Sequence, residues 1–249
     1  MSHVKVLVAV LCCLLSSPLM AAGDDSAFYH INEERLEYVK ATEHAASNND
    51  KLLLLVIGAN WCHDSRALAE YLQTSEVSNV IQQHYELAVI DAAWLDNLSH
   101  VLTRYNHPAY FGTPSVMVIA PDSATLLNRD SVQRWQSAHS ESAGSFAHYL
   151  SSQAENGNTV KSPDDHNVPA ALSTFEQQQA EVLYQAYAKL GPLLAAESKQ
   201  QLPDRTTLDK MWNEVRRFRY QLQHDLVELH RRNTVEESDL PEYAPLKTM

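Results

Sequence analysis

The sequence predicts an α/β fold, a central mixed sheet flanked by helices, followed by an all-helical C-terminal extension. Three observations predict it. Apolar runs at 52–57 and 86–91 enclose a helical stretch, and strand, helix, strand implies a parallel crossover. A third run, Ser115-Val116-Met117-Val118-Ile119, is followed by the turn Pro121-Asp122-Ser123 and a returning segment, the pattern of an antiparallel hairpin. Past about residue 170 the chain carries only helical periodicity.

Taken in order, residues 33–49 hold Glu, Ala and Lys without Gly or Pro, and Leu36, Val39 and Ala46 share one helical face that Thr42 and Glu43 interrupt. A helix therefore precedes the first strand. That strand, Leu52-Leu53-Leu54-Leu55-Val56-Ile57, is uninterrupted and stopped by Gly58, as expected for a central strand covered on both faces. From Ser65 to Tyr85 the spacing of Leu68, Tyr71, Leu72, Val77, Val80 and Ile81 is helical, and Glu86–Asp91 forms the second strand. Residues 94–106 read as another helix. The turn region 107–114 leads into the third strand, Ala124–Leu127 returns as the fourth, and a helix over 140–153 closes the domain.

Residues 154–170, with Asn, Gly, Ser, Pro and paired Asp, read as a linker. The helical extension over 171–232 follows. Its first stripe is Leu172, Phe175, Val182, Ala186 and Leu190, which Gly191-Pro192 should break. The second stripe, Leu208, Met211, Val215, Phe218, Leu222, Leu226 and Leu229, is regular, with Thr206 as its expected N-cap. These helices are expected to dock on the α/β body or on a second copy of the chain, because some sixty residues without a staple bury too little surface to stand alone. Residues 233–249 contain prolines and acids and are expected to form a flexible tail.

The formal net charge of −12 and the absence of any Lys/Arg cluster with interleaved aromatics exclude a nucleic-acid partner. Residues 1–22 have the makeup of a secretory signal peptide: Lys5, the apolar run Val6–Leu15, the breaker Ser16-Ser17-Pro18, then Leu19-Met20-Ala21-Ala22 before cleavage. Export, with a bacterial periplasm as the expected destination, would remove Cys12 and Cys13. Cys62 would then be the single cysteine of the mature domain, 23–153, in a compartment where disulfides form readily. Such a thiol is either buried and inert or reactive with something outside the chain.

Cys62 leaves a buried strand and enters a helix, where unpaired N–H groups and the helix dipole favour an anion and lower a thiol's pKa. A protonated His63 would add to that bias and Asp64 would oppose it. Adjacent Cys62 and His63 do not complete a metal site, no His-x-x-x-His pair accompanies a nearby acid in a helix, and no cofactor is expected.

Trp61-Cys62-His63-Asp64-Ser65 after a strand resembles the Trp-Cys-x-x-Cys active site of the thioredoxin family, and Thr113-Pro114 before the hairpin strand resembles its cis-proline loop. The resemblance spans about residues 30–153 and implies a thioredoxin-like fold. It also implies Cys62 as attacking thiol, Trp61 beside it, and Thr113 and Pro114 shaping the groove for a substrate segment. His63 and Ser65 complete the candidate catalytic set. Two departures matter. Ser65 stands where the family has its resolving cysteine, and Val56 where it has a buried acid. Dithiol turnover is therefore not expected. The expected activities are monothiol exchange, with glutathione or a partner protein's thiol releasing the product, and retention of clients as mixed disulfides. The other reading is a binding module that keeps the fold without the redox cycle.

Overall fold

The computed structural model describes residues 27–30, 33–157, 168–232 and 234–247, so the expected signal peptide and most of the expected linker lie outside the described residues. The elements are α1 (Arg35–Asn48), β1 (Leu52–Gly58), α2 (His63–Leu72), α3 (Ser75–His84), β2 (Tyr85–Asp91), α4 (Ser99–Leu102), β3 (Ser115–Ala120), β4 (Thr125–Leu126), α5 (Ala143–Gly157), α6 (Ala170–Ser198) and α7 (Thr206–His230). They form a mixed four-stranded sheet in the order β2-β1-β3-β4, flanked by helices and followed by a helical C-terminal region. β1 runs parallel to β2, from Leu52 beside Tyr85 to Gly58 beside Asp91, and antiparallel to β3. The expected fold class is the one found.

Every residue of β1 is buried, and the side-chain alternation of a strand sorts them onto two cores. Leu53, Leu55 and Ile57 join Met117 and Ile119 on one face, under α1, α6 and α7; Leu52, Leu54 and Val56 join Val116 and Val118 on the other, under α2, α3 and α5. The helical extension thus closes one face of the sheet in the same apolar cluster as α1. Glu43, one of the two residues that interrupt the apolar stripe of α1, is buried there because Arg104 grips its carboxylate with two nitrogens, at 2.7 and 3.2 Å, and the Tyr105 hydroxyl donates to it.

Local signals and tertiary contacts revise several expected boundaries. The single helix expected over 65–85 is two, because Thr74 caps α3 by accepting the Val77 N–H. The helix expected over 94–106 shrinks to α4 and a 3-10 turn at Thr103–Tyr105. Ala93 and Leu95 adopt left-handed backbone, with φ of 44° and 69°, which no helix accommodates. Asp96 is drawn to Arg35 at 2.8 Å, and its carbonyl accepts the Tyr110 hydroxyl. The start of the expected linker, 154–157, belongs to α5.

The break expected at Gly191-Pro192 does not occur: α6 runs through Pro192. A proline there costs ~3 kcal/mol, but Tyr187, Leu190 and Gly191 are held on the body, and Gly191 lies so close to the Trp94 carbonyl that a Cβ would fall 1.9 Å from its oxygen. Tertiary contact overrides local propensity. The buried face is set by Leu172, Phe175, Leu183, Tyr187 and Leu190, with Val182 only partly covered. The stripe of α7 is buried in full. Thr206 is the first helical residue rather than the cap, its N–H taken by Asp204 at 2.7 Å. Within the segment expected to be a flexible tail, most of residues 234–247 are exposed, but Val235 is buried and Tyr243 is partly covered. Tyr243 meets Phe175 and Phe218 with its ring and donates its hydroxyl to Asp225. Among the described residues no helix is long and apolar enough to cross a membrane.

Candidate functional site

Gly58, the last residue of β1, has no room for a side chain: a Cβ there would lie 2.2 Å from the ring of Tyr29. The chain then turns, with the Cys62 N–H bonded to the Ala59 carbonyl at 3.0 Å, and Cys62 becomes the N-cap of α2 in extended conformation, φ −82° and ψ 123°. Its side chain makes no cap bond. The N–H groups of the first turn of α2, which have no partner within the helix, open at the helix end where Cys62 sits. Cys62 is half-buried and unpaired, and its Sγ–H donates to the Thr113 carbonyl at 3.2 Å. The Thr113–Pro114 peptide is cis. Four of the predicted residues, Trp61, Cys62, Thr113 and Pro114, thus come together from two loops 51 positions apart.

Trp61 donates its indole N–H to the Ala93 carbonyl at 2.6 Å and lies stacked on Trp94, the ring centroids 5.9 Å apart and nearly parallel. His63 points to solvent. Its Nε2 is 3.1 Å from Asp64 Oδ2, and its ring meets that of His139 edge-on. Asp64 Oδ1 accepts the His139 backbone N–H at 2.9 Å, so the carboxylate is tied to the turn preceding α5. Ser65 is fully buried and its hydroxyl has no hydrogen-bond partner, the thiol included.

Val56, fully buried, offers no acid beneath the site. A buried acid does lie on the neighbouring strand: Asp91, paired with Gly58 at the end of β2, has its Oδ1 accepting the Ala93 N–H at 2.8 Å. Burial raises its carboxyl above the usual carboxylate range, against the lowering effect of that hydrogen bond and of Arg35. Tyr29, from the segment before α1, was also missed. A lone aromatic in an irregular stretch carries no local signal. A third residue, Gln136, packs over Gly112 and reaches Gln223 of α7 at 3.4 Å, which links the extension to the cis-proline loop.

Among the described residues no group of three His, Cys, Asp or Glu side chains is placed to hold a metal ion. A cavity of about 690 Å³ lies away from Cys62, in the seam between the β3–β4 turn and the end of α7, with Arg104, Arg129 and Arg232 in its wall.

No protein-family model and no curated protein matches the chain. Among solved structures it is similar to a disulphide isomerase from Xylella fastidiosa Temecula1, at 27% identity over 50% of this chain and 94% of that one, with a TM-score of 0.46.

Proposed function

We propose that this chain is an exported thioredoxin-like protein that exchanges thiols and disulfides, or holds clients as mixed disulfides, through Cys62. The supporting observation is the position of the thiol: half-buried at the N-cap of a ten-residue helix and against the carbonyl that precedes a cis proline. In the resting state the thiol donates to Thr113. Once the proton is lost that bond is lost with it, and the sulfur gains instead from the free N–H groups at the start of α2. The thiolate attacks one sulfur of a disulfide and forms the mixed disulfide while the other sulfur leaves as a thiolate. Because Ser65 cannot close the cycle, a second thiol, from glutathione or a partner protein, must attack that bond and regenerate Cys62. Residues 1–22 support export, as the oxidising compartment such chemistry suits.

The second reading, a binding module without a redox cycle, is favoured by Ser65: it is buried, and its hydroxyl makes no hydrogen bond to the sulfur. Alkylation of Cys62 across pH separates the two. Fast labelling near neutral pH, together with mixed disulfides in oxidised extracts that vanish on reduction and are missing from Cys62→Ala, supports exchange. Slow labelling with an apparent pKa at or above ~8.5 supports the binding module.

A further inference from the structure

We infer that Tyr29 is a positioning residue for Cys62, clamping the turn that presents the sulfur from both sides. The inference rests on the thiol reading of Cys62 given above. Tyr29 comes from a short segment ahead of α1 and is buried to 1% exposure. Its backbone forms a reciprocal pair with Asn60, two residues before the cysteine: the Tyr29 N–H donates to Asn60 Oδ1 at 3.1 Å and Asn60 Nδ2 donates to the Tyr29 carbonyl at 2.6 Å. Its phenol donates to the Ser65 carbonyl at 2.9 Å, three residues after the cysteine. The ring between these anchors fills the space over Gly58 that any side chain at 58 would claim. Residues 60 and 65 bracket Trp61-Cys62-His63-Asp64, so three hydrogen bonds and one steric fit hold the ends of the reactive turn.

The effect on chemistry follows from what stabilises a thiolate at a helix start. N–H groups act on the sulfur only while the first turn keeps them aimed at it, and the benefit fades within that turn. Ser65 belongs to it, and the phenol is a second donor on a carbonyl otherwise committed to the helix ladder. Burial, reinforced by the nearby Cys62 and Asp91 against a lowering contribution from the Ser65 side chain, keeps the phenol protonated and hence a donor throughout the range in which a thiol titrates. The charged and titratable neighbours of the turn are His63, Asp64 and Arg66 on α2, His139 before α5, and Asp91 on β2. All of them remain when Tyr29 alone is changed.

The test is the pH profile of iodoacetamide alkylation in the full chain. Tyr29→Phe keeps the ring and removes one hydrogen bond, and it should slow labelling near neutral pH by roughly five-fold while leaving the limiting rate at high pH unchanged. Gly58→Ala, which must displace the ring, should slow labelling at least as much, and the double variant should be no slower than Gly58→Ala alone. A wild-type profile in Tyr29→Phe, or losses that add in the double variant, overturns the inference. Fast wild-type labelling kept by both variants overturns it alone, whereas slow labelling of the wild type withdraws the thiol reading as well.

Discussion

Replacing His107 by leucine should flatten the acid side of the stability profile. His107 lies in the seam between the loop that leads to the cis proline and the helical extension; its ring meets Phe111 edge-on, and its Nε2 is buried without a hydrogen-bond partner. Burial, with smaller contributions from Arg129 and His230, pushes its pKa from 6.5 down to about 3. The folded state thus holds this imidazole neutral. As pH falls below the unfolded value, the unfolded chain takes up a proton that the folded chain refuses, so stability is lost as the solution is acidified toward the folded pKa. One proton changes stability by about 1.4 kcal/mol per pH unit, which gives a loss of about 2.5 kcal/mol between roughly pH 7.5 and pH 4.5. Leucine keeps a similar volume and cannot charge. Urea unfolding followed by tryptophan fluorescence at stepped pH would read the difference: the gap between the proteins should move by about 2.5 kcal/mol in favour of His107→Leu over that range. Parallel curves would refute the reasoning.

Three further outcomes are expected. Ser65→Cys should raise disulfide reductase turnover with a dithiol reductant, because it places a resolving thiol three positions after Cys62 on the same helical face, and equal turnover in the two proteins would defeat the monothiol argument. Phe218→Asp sets an unpaired carboxylate in the apolar contact of α7 with Tyr243 and should cost about 3 kcal/mol or more in a thermal or urea melt; an unchanged melt would show that the extension is a free arm. Gly191→Ala must push α6 off the Trp94 carbonyl and should destabilise by about 1–3 kcal/mol, with a change in near-ultraviolet circular dichroism as the Trp61–Trp94 stack shifts.

Much of this arrangement was legible in the sequence. The uninterrupted run 52–57 needed no partner to be recognised as a strand buried on both faces, and the strict spacing from Leu208 to Leu229 gave the buried face of α7 residue by residue. The exit of the first strand into Trp61-Cys62 located the candidate site for the same reason: a change from strand to helix is a local event, written in neighbouring residues. The Thr74 cap was also local, yet it was hidden beneath a periodicity that continues across it.

What the tertiary structure alone decided involves groups far apart in the chain. Helix α6 passes Pro192 because Gly191 is seated on Trp94, and 92–98 is a loop because Arg35, Tyr110 and Trp61 hold it in backbone conformations that a helix cannot use. The buried Asn128 finishes the sheet with its side chain, accepting from Val118 N–H and donating to the Val116 carbonyl. Tyr29 reaches the Cys62 turn from a flanking segment, and Asp91 is buried beside Gly58 on the neighbouring strand. Propensity and periodicity describe what a segment gains from its own neighbours. The conformations of these residues are set by burial and hydrogen bonds that exist only after the sheet and α6 have closed around them, and those gains exceed the local preferences they overrule.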